Sequence, residues 1–205
     1  MQHISTAANQ SIADHGHFKI VVTGGNTMLS IYKHLRQIKT DWRSWSIAWT
    51  DERCLPKEHA ERNSRQAFET WLSHVPILKE NILEIPAELG PVAGSECYSR
   101  SLAGVDWFDL VILTLGQDGH VASIFQSDMK PPTGSAVLPV FDAPKFPSNR
   151  ISLSLERLAK TRELILLAAG KHKAQALANL KNSGEGPAAQ LAKQCCVTVW
   201  SSEIT

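Results

Sequence analysis

Apolar residues fall in short solid runs along the chain, and each run stops at a polar turn. Phe18-Lys19-Ile20-Val21-Val22 halts at Thr23-Gly24-Gly25-Asn26-Thr27, after which Met28, Leu29, Ile31, Tyr32 and Leu35 recur at helical spacing. This predicts strand, glycine turn, helix. Trp45 to Trp49 is a second strand that closes on a charged loop, Asp51-Glu52-Arg53, with a helix expected from about Asn63 to Val75. Ile82 to Ile85 is a third short strand and Gly94 to Leu102 a helix. Phe108 to Leu115 is apolar almost throughout, as a strand covered on both faces must be. It ends at Gly116-Gln117-Asp118-Gly119-His120. Beyond it, Ala122 to Phe125 reads as the start of a helix and the proline-rich stretch Lys130 to Asn149 as a surface loop. Arg150 to Leu155 and Leu164 to Ala168 read as strands, Lys171 to Asn182 as a helix and Cys196 to Trp200 as a last strand.

Strands alternating with helices predict an α/β fold: a predominantly parallel sheet flanked by helices on both faces, a Rossmann-like three-layer sandwich. In such sheets ligands sit at the carboxyl ends of the strands, where the three polar motifs fall. The 205 residues suit one domain spanning 1–205. Residues 1–17 are expected to be a polar, disordered or truncated stub, and a sheet without its opening helix would leave one face for a partner subunit.

Charge narrows the partners. Lys and Arg number 21 against 20 Asp and Glu, a net charge of +1, and the basic residues are scattered, so nucleic acid is not expected. No apolar run reaches the length of a membrane span or a leader, which makes a cytoplasmic protein with no membrane partner the expectation. Cys54, Cys97, Cys195 and Cys196 form no CxxC pair, so no metal is expected and the thiols read as buried or incidental.

Each motif has a plain structural reading and a chemical one. Glycines admit a tight turn, and the helix-start amides after it, with the Thr27 hydroxyl, can donate to a phosphate, although the segment is neither a Walker loop nor GxGxxG. Asp51-Glu52-Arg53 is either a solvated charge cluster or a place to hold an acid, a base or an oxyanion partner. Asp118 lies close enough in sequence to orient the His120 imidazole, and a neutral imidazole can take a proton from water. The other histidines, such as His3, His15 and His59, are read as structural or surface residues. Convergence of three motifs at strand ends of one sheet favours catalysis.

In order, these segments resemble the 6-phosphogluconolactonase family, within the wider sugar-phosphate isomerase and deaminase fold group. Thr23 to Thr27 is similar to the family's SGGST loop, Asp51-Glu52-Arg53-Cys54-Leu55-Pro56 to DERxVP, and Arg62-Asn63-Ser64 to its SNxR region. Asp118-Gly119-His120-Val121-Ala122-Ser123-Ile124-Phe125 is similar to DGHTASLF. Ala143-Pro144-Lys145 with Arg150-Ile151-Ser152-Leu153-Ser154 resembles SPKPPxxRITLT, and Gly170 to Ala174 resembles GxxKA. The resemblance implies hydrolysis of 6-phosphoglucono-δ-lactone in the oxidative pentose phosphate pathway, without metal or redox cofactor. It makes His120 the general base, with Asp118 or Asp51 orienting it or the water, and Arg53 either neutralising the tetrahedral intermediate or holding substrate. Gly24, Gly25, Asn26, Thr27, Asn63, Arg150 and Lys173 would bind the substrate and its phosphate.

The chain departs from the family pattern at LGxGxDGH. Leu115-Gly116-Gln117-Asp118-Gly119-His120 is two residues shorter and lacks one glycine, which is expected to displace His120. Met28 and Gln126 stand where prolines are usual. Two further readings follow: a glucosamine-6-phosphate deaminase or isomerase, in which NGH replaces DGH, and a sugar-phosphate binding protein with weakened catalysis. Both a monomer and a homodimer are compatible with the sequence.

Overall fold

Short runs of Ile, Val, Leu and Phe bounded by glycine and charge build the central sheet. The computed structural model describes residues 2–126, 128–182 and 184–201. In chain order it runs α1 (Gln2–His15), β1 (Phe18–Val22), α2 (Asn26–Leu35), β2 (Trp45–Trp49), β3 (Asp51–Arg53), α3 (Asn63–Thr70), β4 (Ile82–Leu83) and α4 (Pro91–Ser101). There follow β5 (Phe108–Thr114), β6 (Val137–Val140), β7 (Arg150–Leu153), α5 (Leu155–Ala159), β8 (Thr161–Ala168), α6 (Ala174–Asn182), α7 (Pro187–Gln194) and β9 (Val197–Ser201).

Six strands in the order β4-β2-β1-β5-β8-β9, every pair parallel, make the main sheet, and helices cover it in a three-layer α/β sandwich. The chain winds outward from β1 in one direction and from β5 in the other. The switch point between β1 and β5 therefore opens a crevice beyond their carboxyl ends. A smaller antiparallel sheet, β3-β7-β6, stands at that end. Thr50 welds the two sheets: its N–H donates to the Val22 carbonyl at 2.9 Å and its own carbonyl accepts from Leu153 N–H at 2.8 Å. Against the main sheet Phe18, Tyr32, Trp42, Trp45 and Trp71 pack ring to ring, all buried.

Several local expectations are corrected. The polar stub is helix α1, which buries Ile4 and Ala8 and packs on β1 and β5, covering the surface expected to lie open to a partner. Only two apolar residues of the helix are buried, too few to give its sequence a strong helical period. Histidine–carboxylate pairs add to its anchoring, His3 Nε2 to Glu163 Oε1 at 2.6 Å and His15 Nε2 to Asp109 Oδ1 at 3.0 Å.

Asp51-Glu52-Arg53, expected as a loop, is strand β3 because β7 pairs with it, and β6 lies inside the supposed loop 130–149 for the same reason. Ala122 to Phe125 does not begin a helix. Val121 and Ile124 form a bridged turn with Ala122 at φ 51°, a left-handed conformation that stops helix propagation. The helix expected to reach Val75 ends at Thr70 and is followed by a 3-10 turn at Leu72–His74. The one expected from Lys171 becomes α-helical only at Ala174.

Candidate active site

At the carboxyl end of β5 the short loop closes on itself. Gly116 N–H donates to the His120 carbonyl at 2.8 Å, and Gly119, at φ 85°, donates to the Gly116 carbonyl at 3.2 Å. Gly119 supplies the left-handed turn that a side chain would oppose. Gly116 does something different: a Cβ there would sit 2.0 Å from His120 Nδ1, so the imidazole lies directly on its backbone. The six-residue version of the loop thus still presents His120, with its ring against Phe125 at 4.7 Å between centroids.

Asp118 Oδ1 lies 2.5 Å from His120 Nδ1. Burial pushes the Asp118 carboxyl up, but the hydrogen bond and charge of His120 outweigh it and hold the group below its ordinary range. A carboxylate on Nδ1 places the proton of the neutral ring there and leaves Nε2 as the base. Asp51, the alternative orienting group, is otherwise engaged. Its Oδ1 accepts from the Thr50 hydroxyl at 2.7 Å and its Oδ2 from the Ser123 hydroxyl at 2.7 Å, in a buried position. Ser123 reaches it from the turn after His120, so the two strand-end motifs are tied together.

Glu52 is wholly buried and serves α3. It accepts from the backbone N–H groups of Asn63 and Ser64, both at 2.8 Å, and of Arg53 at 2.9 Å, with Arg62 Nε at 3.6 Å. This is a carboxylate cap on a helix start. Burial raises its carboxyl above the usual value, against the pull of those N–H groups and of Arg62. Asn63, expected to touch substrate, is only 2% exposed and is instead a brace. Its Nδ2 donates to the Asp51 carbonyl at 2.9 Å, and Gly24 has no room for a Cβ because one would lie 1.9 Å from Asn63 Oδ1. The Gly24–Gly25 turn thereby packs against the Asp51 strand end, while Gly25 and Asn26 are exposed and Thr27 half-buried at the start of α2.

Cations gather near the Asp118–His120 pair. Arg150 is buried, its guanidinium 5.7 Å from the centre of the Phe125 ring that also touches His120. Its Nε donates to the Pro147 carbonyl at 3.0 Å and its Nη2 to the Lys145 carbonyl at 2.8 Å, so Arg150 shapes the loop that presents Lys145. Burial lowers the affinity of Arg150 for its proton, Asp51 raises it and Arg53 lowers it again. Lys173 is held below the usual lysine range by burial and then by the charge of Lys145, with Asp118 opposing. Like charges close enough to repel stay together readily only where an anion sits between them. Arg53 donates to the Glu61 carbonyl, which pins its guanidinium beside this cluster. Lys145 does not stand out in the sequence as a binding residue, and the signal that points to it is its place five residues before Arg150.

Burial pushes the Cys54 thiol up to about 11, so it is not a thiolate at neutral pH. Among the described residues no group of three or more His, Cys, Asp and Glu is arranged to hold a metal, and no helix is long and apolar enough to cross a membrane.

Residues 1–200 match the family model described as glucosamine-6-phosphate isomerases/6-phosphogluconolactonase. The chain belongs to this family. Among curated relatives it is 32% identical over 195 residues to 6-phosphogluconolactonase 3, chloroplastic, of Arabidopsis thaliana, a match covering 86% of this chain and 60% of that protein. It is 34% identical to the 6-phosphogluconolactonase of Streptomyces coelicolor, covering 84% of this chain and 74% of that one. The crystal structure of 6-phosphogluconolactonase from Thermotoga maritima superposes with a TM-score of 0.87 at 27% identity, over 98% of this chain and 91% of the other. That structure and this chain thus share one fold.

Proposed function

We propose that the protein hydrolyses 6-phospho-D-glucono-1,5-lactone to 6-phosphogluconate. The observation that carries this is the Asp118–His120 pair, engaged through Nδ1, near a cluster of Lys145, Arg150, Lys173 and Arg53. One side of the site offers a base for water and the other a seat for a phosphate dianion, the two groups that a phosphorylated lactone requires. Lactonase relatives in a plant and a bacterium support the same substrate.

In the step that follows, His120 Nε2 takes a proton from water as its oxygen attacks the lactone carbonyl carbon, and the carbonyl electron pair moves onto oxygen. Collapse of the tetrahedral intermediate re-forms the carbonyl and breaks the bond to the ring oxygen. The imidazolium returns its proton to that departing oxygen. Asp118 holds the ring in the required tautomer, and a base so positioned accounts for about 10²–10⁴-fold in rate. The nearby cations lower the energy of the developing oxyanion and hold the phosphate, with the α2 amino end as a further donor set.

A deaminase reading is less well supported, because Asp118 stands where that branch carries asparagine. Freshly generated lactone given to the purified protein is expected to release acid faster than the spontaneous reaction, with no ammonia from glucosamine 6-phosphate. Binding of 6-phosphogluconate without acceleration would instead support a sugar-phosphate binding protein.

A further inference from the structure

At the opposite end of the sheet from His120, α4, the 102–106 connection, the 132–136 loop and α5 enclose a cleft of about 690 Å³. Arg157 lines it and is unusual among the cations of this chain. It is only 5% exposed, and it forms no ion pair with a carboxylate among the described residues. The guanidinium stacks on the Phe108 ring with Cζ 3.7 Å from its centroid, and Nη2 donates to the Val105 carbonyl at 2.7 Å. Nη1 is buried with no acceptor.

A buried donor left unsatisfied costs on the order of 1–3 kcal/mol, more when it is charged. Burial draws the Arg157 guanidinium down to about 10, against the raising influence of Tyr98 and Asp106, so it remains a cation at neutral pH. The same cleft carries Arg100, Lys160 and the hydroxyls of Ser99 and Ser135, the latter two 3.4 Å apart, with Glu96 and Asp106 as its carboxylates. Three cations against two carboxylates leave the cleft positive.

We infer that this cleft is a second ligand site, separate from the His120 crevice, that binds a small oxyanion-bearing molecule, its phosphate or carboxylate oxygens completing the hydrogen bonding of Arg157 with Lys160 and the serine hydroxyls around it. The stack on Phe108 fixes the plane of the guanidinium, and a fixed fork suits two-point recognition of an oxyanion. The hydroxyls suit the remainder of a polar metabolite. This reading does not depend on the activity proposed for the His120 site.

Inorganic phosphate is the probe. In an NMR titration of arginine side-chain Nε–H groups, the Arg157 resonance is expected to shift saturably in the wild-type chain and equally in a Lys173→Ala chain weakened at the crevice. Calorimetry is expected to lose one of two phosphate sites in Arg157→Met. Should that variant not fold, Arg100→Ala/Lys160→Ala leaves the buried group in place and is expected to weaken the Arg157 titration at least about tenfold, as loss of charge-assisted contacts implies. An Arg157 resonance that does not move, one that moves only when the crevice is intact, or an undiminished titration in the rim variant overturns the inference.

Discussion

Gly116 and His120 are in contact through space as well as along the chain, and the contact sets the imidazole of the proposed base against the backbone of its own shortened loop. The imidazole lies on bare backbone, and a methyl at Gly116 would take its place. Gly116→Ala is therefore expected to lower kcat by about 10²-fold or more, the cost of about 1 Å of misplacement, while the thermal midpoint moves little because Gly116 does not have a positive φ. Lys145 gives a second prediction. Removing one cation from the anion seat with Lys145→Ala is expected to raise KM about tenfold and leave kcat nearly unchanged, which steady-state kinetics separate. Asp118 and His120 were legible in the sequence because they are two residues apart at the end of an apolar strand. Asn63 was not legible as a brace, since its burial depends on Gly24, a contact across 39 positions that no local pattern encodes. The preference between Asp51 and Asp118 likewise needed the Ser123 hydroxyl, which occupies Asp51.

Among the elements, every strand of the main sheet was located from its apolar run, because solid apolar runs have few other ways to be buried, although β8 begins three residues earlier than expected, at Thr161, and β4 ends two residues sooner, at Leu83. The small sheet was missed. β3 is a charged tripeptide and β6 contains Pro139, and both become strands only because β7 pairs with them. Helix α3 shows a related dependence: its start is held by a carboxylate eleven residues upstream in the chain, Glu52 to Asn63. Glu52→Gln keeps the shape but turns an NH₂ group toward backbone donors. It is expected to cost about 1–3 kcal/mol in denaturant unfolding, since N–H groups at the helix start lose an acceptor. The sign of the pH effect is set by burial. Because the folded-state pKa of Glu52 lies above its unfolded value, the wild-type chain binds the extra proton when folded. Its share of stability therefore falls as pH rises through that window, and the Gln variant lacks this slope.

For the whole molecule, the strand order places the reversal between β1 and β5, and the glycine turn, the Asp51 strand end and the His120 loop all issue from strands on or next to it. Fold class and the general position of the site follow from that topology, and both were readable from strand–helix alternation with polar strand ends. Helix α1 was not readable: two buried residues and two histidine–carboxylate contacts hold it, and these are visible only once the sheet it covers exists. Catalysis of lactone hydrolysis through His120, as opposed to phosphosugar binding alone, is tested by comparing the rate of acid release from freshly made 6-phosphogluconolactone by the wild-type and His120→Gln chains, with 6-phosphogluconate binding measured on both. The variant is expected to bind 6-phosphogluconate within about threefold of wild type and to lose at least about 10²-fold in rate. Equal rates from the two chains would contradict it.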